Sequence, residues 1–159
     1  MGTEDTFNGA MAAMSFFMAY INMVGEEIGM DRALSLWTKM GETMGDMQGK
    51  MMKEQAGSQE LDAKTVWSMV KAVPESLGIM SEIVEEGPQE VVVKVDKCPI
   101  YTAAQMMGFD PKTIETMCLT GSARVMDGAT KGLNPNLGYE LRKFRSSADD
   151  FCEEAIVKS

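Results

Sequence analysis

EVVVKVDKCP, residues 90–99, is the stretch whose reading decides the fold. Val91, Val93 and Val95 alternate with Val92, Lys94 and Asp96. That period of two is a strand with one apolar face and one partly wet face. The strand runs into Cys98, and Pro99 fits the first turn of a helix. A thiol is thus carried to a helix N-terminus. Cys118 and Cys152 follow at spacings of 20 and 34 residues.

Outward from that strand, residues 79–86 read as its antiparallel partner across a Gly87-Pro88 turn. Residues 137–145 and 151–158 read as a second hairpin, closed by a turn over 146–150. In its last strand Cys152, Glu154 and Ile156 share one face, and Phe151, Ala155 and Val157 take the other. Between the hairpins, helical segments are expected over 100–107, 111–119 and 122–130, with a loop over 131–136. Gly108 is a stop, Asp110 an N-cap, and Pro111 the first helical residue. Upstream, the spacing predicts helices over 6–29, 31–56 and 63–73, with Asp31 and Asp62 as N-caps and Pro74 as a break. Residues 57–60 are a short linker. The plan is a single α+β domain over residues 1–159. A long helical hairpin over 1–57 precedes residues 60–159, an antiparallel sheet of about four strands, in two hairpins, with helices carrying the three cysteines.

The second helix carries two features. Leu34, Trp37, Met40, Met44, Met47 and Met51 form an apolar stripe. Gly41, Gly45 and Gly49 lie four apart and leave a ridge without side chains. Each glycine costs about 1 kcal/mol against alanine in a helix interior. Three in register imply close approach, either by a helix of the same protomer or of a dimer partner, or by a ligand. The 17 methionines read as core filler or as the wall of an adaptable apolar pocket. In the third helix Val66, Met69, Val70 and Val73 point inward, and Trp67 sits half exposed beside them.

The net charge of −9 argues against nucleic acid and anionic membranes, which need a basic footprint. The acidic start, Met1 to Asp5, is unlike an export signal. Met1-Gly2 with Thr6 fits the loose myristoylation pattern. The apolar run over residues 10–24 falls short of the roughly 20 residues a bilayer needs, and reads as a buried core helix. An odd number of cysteines precludes a complete disulfide framework, so the expectation is reduced thiols in a cytoplasm. The chain has no histidine. Histidine-based triads, Cys-His pairs and HExxH zinc sites are therefore excluded. Acid–base work falls to Asp, Glu, Lys, Tyr or Cys. A soft-metal site would need thiolates and carboxylates. Cys98, at a helix start, has the better setting for a lowered thiol pKa. Cys152, flanked by Asp149-Asp150 and Glu153-Glu154, reads as a structural or ligating thiol.

KCPIYTAAQMMGFD (97–110), ETMCLTGS (115–122) and GLNPNLGYELRKFRSSADDFCEEAIV (132–157) resemble the L-2-amino-thiazoline-4-carboxylic acid hydrolase-like family. The shared features are a Cys-Pro after a valine-rich strand, a second Cys some twenty residues on, a Gly-x-Asn-Pro loop and a closing strand with a third Cys. The glycine-spaced helix MGETMGDMQGKMMKEQAG (40–57) is similar as well. More distantly, the layout is similar to 4-vinyl-reductase-type ligand-sensing domains, some of which hold a metal through cysteines. The resemblance implies a hydrolase opening a small sulfur–nitrogen heterocycle or cleaving a related C–N bond. Cys98 would be its nucleophile, Glu115 or Asp150 would move protons, and Tyr101, Arg142 and Arg145 would hold the substrate, the arginines through its carboxylate. The alternative chemistry is zinc, or iron, held by Cys98, Cys118 and Cys152 with a position open to water. Two further readings stand beside the enzyme: a small-molecule or metal-binding module, and an α+β homodimer whose thiols are only core.

Overall fold

The computed structural model describes residues 3–57 and 60–159. The Met1-Gly2 pattern and Ser58-Gln59 of the linker lie outside the described residues. Helices Thr3–Ile28 (α1) and Met30–Ala56 (α2) come first, then Ala63–Val70 (α3) and a short Ala72–Glu75 (α4). Strands Ser81–Glu86 (β1) and Glu90–Val95 (β2) follow, then helices Pro99–Met106 (α5) and Pro111–Met117 (α6). A π-helical turn, Cys118–Ser122, leads straight into Ala123–Leu133 (α7). Leu137–Lys143 (β3) and Cys152–Lys158 (β4) close the chain. The sheet is antiparallel with order β1-β2-β4-β3, so the two hairpins meet along β2 and β4.

The caps act as their residue types dictate. Asp62 accepts from the Thr65 amide, and Asp110 accepts from Lys112 and Thr113. Both carboxylates are thereby held below their ordinary range. Asp31 is not an N-cap. Gly29, at φ 89°, holds that position and turns the chain between α1 and α2. The third helix breaks at Lys71, just before Pro74, as expected of proline. The helices on either side of Cys118 are not separate. The π turn joins them, and the loop expected from 131 begins at Asn134.

The alternation in β2 is right on the inner face, where Val91, Val93 and Val95 are buried. Val92 is buried too, although it belongs to the outer face. It pairs with the small Ala155 of β4. Above that strand an Arg142–Glu90 ion pair reaches from β3 to β2. Edge strand β1 is acidic and exposed, with a bulge between Ile83 and Glu85, which guards an open edge against further pairing.

One core cluster joins α3 and α7 to the sheet, through residues such as Val66, Trp67, Leu133 and Ile156. Trp67 is only 5% exposed, so it is core rather than half exposed. A second cluster joins α1, α5 and α6 around Met18, Ile114 and Met117. A small third group, Ile79, Val95 and Cys152, stands between them.

The glycine ridge of α2 packs within the protomer. Its partner is α7, which carries glycines of its own at 128 and 132, preceded by Gly121 in the π turn. A Cβ on Gly45 would lie 2.8 Å from the Arg124 carbonyl oxygen, and one on Gly49 would lie 2.7 Å from that of Gly128. The buried residues of α2 are accordingly Ala33, Trp37, Gly41, Gly45 and Gly49. The methionine stripe is not core. Met40 is 39% exposed and Met51 is 51% exposed. Among the described helices, α1 is long and apolar enough to cross a membrane by length and composition. In this fold it lays Met18 and Ile21 against α5 and the second core cluster, but it is not the buried core helix expected, since Phe16, Tyr20 and Met23 are exposed on its other side.

Candidate functional site

The junction of the core clusters forms a partly open cavity of about 320 Å³. Its wall is mostly apolar, with Trp37, Ile79, Ile100, Met126 and Phe144 among the contributors. Met40 and Met44 of α2 also line it, which gives those partly exposed methionines a place in the pocket wall. All three cysteines face it. The elements explain why. β2 ends at Val95 and leaves Cys98 as the N-cap of α5. Cys118 opens the π turn, and such turns often mark functional positions. Cys152 starts β4 opposite Val95.

Trp37 shapes the floor. Its indole Nε1 donates to the Met117 carbonyl at 2.7 Å, a buried bond between α2 and the end of α6. The ring fills the space beside Gly121, where a Cβ would fall 1.8 Å from Nε1. The glycine is thus required by a neighbouring side chain rather than by its own backbone angles.

Polar groups in the wall are few. Tyr139 of β3 and Glu154 of β4 both face inward, and the Tyr139 hydroxyl donates to a Glu154 carboxyl oxygen. Burial raises the Glu154 carboxyl above its ordinary value, while the Tyr139 bond and the Arg145 charge pull it down. Burial and the Glu154 charge together push the Tyr139 hydroxyl well up. The Gln48 side chain also lines the cavity, and its Oε1 is buried without a hydrogen-bond partner.

The structure places the expected site residues unevenly. Cys98, Cys118, Cys152 and Tyr101 reach the cavity. Glu115 is exposed on α6 and does not line it. Asp150 organises the β3–β4 turn instead. It pairs with Lys143 at 2.6 Å and accepts from the Ser146 amide and hydroxyl, and these contacts hold its carboxyl well below the usual range. Arg142 lies on the outer sheet face with Glu90 and Glu140. Arg145 is 3% exposed and stands behind the wall. Its guanidinium donates to the carbonyls of Asp96 and Val95 at 2.8 and 2.7 Å and to Cys152 Sγ at 3.4 Å. It also lies 5.0 Å from the Tyr101 ring centre. In these positions both arginines tie parts of the fold together. Tyr139 and Glu154 had no motif to announce them. The one sequence signal was Glu154 on the same strand face as Cys152.

The thiols are free. Among the described residues no three Cys, Asp or Glu side chains are grouped to hold a metal ion. The three thiols share one cavity without forming such a group. The N-terminus of α5 does not win at Cys98. Burial pushes its thiol up to about 11, against the opposing pull of the Tyr101 and Ile100 amides. Burial also holds the Cys118 thiol well up, with Cys98 and Cys152 adding to the effect.

A pH experiment follows from Cys98. A raised thiol pKa favours the protonated, folded form. Its contribution is complete below the ordinary value of 9.0 and is lost as pH climbs to about 11. Iodoacetamide labelling of a variant keeping only Cys98 should stay slow at pH 8 and accelerate towards pH 11. Rapid labelling at neutral pH contradicts a protonated thiol of raised pKa.

Fold and site together define a class: an α+β domain built around a partly open, thiol-lined, largely apolar cavity. The chain belongs to the L-2-amino-thiazoline-4-carboxylic acid hydrolase family, whose sequence profile matches residues 9–153. No curated protein matches it. Solved structures share its fold at low identity. One is a trafficking protein particle complex subunit 3 from Naegleria fowleri, covalently bound to palmitic acid. It is 14% identical, with a TM-score of 0.61 over 93% of this chain and 96% of that one. Another is the phenol-responsive sensory domain of the transcription activator PoxR with phenol. It is 13% identical, with a TM-score of 0.60 over 91% of this chain and 74% of that one.

Proposed function

We propose that this protein binds a small, largely apolar molecule in the cavity between α2, α5, the π turn and the sheet. The observation that carries this reading is the cavity itself. Its 320 Å³ falls within the range of about 300–1,000 Å³ typical of ligand pockets. Apolar walls with a few convergent polar groups are the usual composition of such sites. Two proteins of the same fold hold a small phenol and a fatty acid, which supports the reading.

Thermal melts against a panel of small aromatic and aliphatic compounds test it. A bound compound at a hundred times its Kd stabilises by about 2.7 kcal/mol. For a chain of this size that is a rise in Tm of about 5–10 °C. Ala123 lines the cavity, and Ala123→Phe should fill it. That variant should stay folded and lose at least tenfold in affinity. No shift with any compound, or unchanged binding in the variant, contradicts the reading.

Family membership favours a second reading, hydrolysis of a small C–N or C–S heterocycle at the same cavity. Cys98 would attack, and Glu154, whose charge is felt at Cys98, replaces Glu115 and Asp150 as the carboxyl in reach. Because burial keeps Cys98 protonated, attack would require a base. Ring opening of L-2-amino-thiazoline-4-carboxylate, abolished in Cys98→Ser, is the expected result. Activity that survives Cys98→Ser removes this thiol from the chemistry.

A further inference from the structure

Beside the neutral hydroxyls of Ser76, Ser122 and Tyr101, the described residues of the cavity wall carry one carboxyl group. Glu154 brings a carboxyl group to the wall, and its one bonded side-chain partner is the Tyr139 hydroxyl. A carboxylate has about four lone-pair sites, so acceptor capacity is left over. Gln48 adds a buried amide with an unpaired atom. A half-turn of that amide exchanges oxygen for nitrogen, so Gln48 orients a guest without fixing whether the guest donates or accepts. Glu154 fixes it. No lysine or arginine is among the described residues lining the cavity. Arg145, whose charge acts on Cys98, Cys118 and Glu154, is buried behind the wall and occupied with Val95, Asp96 and Cys152. Arg142 lies on the other face of the sheet.

Resting on the reading of this cavity as a binding site, we propose that its ligands are small apolar molecules carrying a hydroxyl, amine or amidine donor held by Glu154, and not carboxylates. A buried donor needs a partner, and the free oxygen capacity of Glu154 supplies one. A guest carboxylate would meet another carboxyl in a low-dielectric pocket, with no cation in the wall to balance it. That selects against an acidic substrate of the kind for which the family is titled.

Four probes of similar shape decide the matter: phenol, benzamidine, toluene and benzoate, titrated by calorimetry at pH 7 into the full chain. Phenol or benzamidine is expected to bind at least tenfold more tightly than toluene, and benzoate more weakly than any. Glu154→Gln replaces one carboxyl oxygen with an amide NH2 donor but keeps the shape. It should lower benzamidine affinity about tenfold and leave toluene unchanged. If toluene binds and the donor probes gain nothing over it, or if benzoate binds best, the donor preference is wrong while the cavity reading stands. If none of the four binds, both fail. Should Glu154→Gln not fold, the ranking of the four probes on the native chain still decides.

Discussion

Gly128→Ala is expected to lower stability by about 2 kcal/mol, the net of two opposing effects. Alanine gains about 1 kcal/mol of helix propensity over glycine. Against that, the new Cβ lies 2.7 Å from the Gly45 carbonyl carbon and 2.8 Å from its Cα. Both are backbone atoms of α2, so no side chain can swing aside, and the two helices must separate. Overpacking of this kind typically costs about 1–3 kcal/mol, occasionally more. Here it also disturbs the Gly45 and Gly49 contacts on the same seam. In a thermal melt the net loss should appear as a fall of about 4–8 °C. Gly9 of α1 supplies the control, since a Cβ there meets nothing within 4 Å. Gly9→Ala should leave the melt unchanged or raise it slightly. Equal, neutral effects at both positions contradict backbone-to-backbone packing of α2 on α7.

Arg145→Met should be costlier, at about 3–5 kcal/mol in urea unfolding. Methionine replaces much of the stem but none of the donors. The Val95 and Asp96 carbonyls lose their guanidinium partners, and each unsatisfied buried group costs about 1–3 kcal/mol. The contact with the Tyr101 ring is lost as well. Arg145→Lys keeps the charge but cannot reproduce the planar fork, so it should recover only part of the loss. The two carbonyls belong to the end of β2, just ahead of Cys98. Arg145 therefore holds the strand end that presents this thiol to the cavity. A role in substrate binding alone would leave the unfolding midpoint of Arg145→Met unchanged.

The apolar stripe of α2 shows where local reading stops. Periodicity correctly made residues 30–56 a helix. It also suggested that the methionines face the core, because apolar side chains usually do. The glycines won that face because a ridge without side chains lets α7 approach to backbone contact, which no methionine surface allows. Trp67 went the other way, into the core between α3 and the sheet. The site divides similarly. Cys98 and Cys152 were legible because strand ends can be read from alternation and turn residues. Charge alone marks Asp150 and Arg142, and their ion pairs lie in the β3–β4 turn and on the outer sheet face, away from the cavity.

What the sequence determined by itself is the set of elements and their order. Alternating valines, aspartate caps, Pro99 and Pro111 at helix starts and Gly108 at a helix stop all act within a few residues of themselves. The missing histidine likewise settled which chemistries the chain can host. Only the tertiary structure decided which face of α2 is buried, that three thiols share one cavity, and that Glu154 with Tyr139 supplies its polar corner. Those outcomes depend on contacts between residues far apart in the chain. The thiol pKa at Cys98 is of the same kind. Its helix terminus is local and pulls down, but desolvation by the surrounding elements is larger and pushes up.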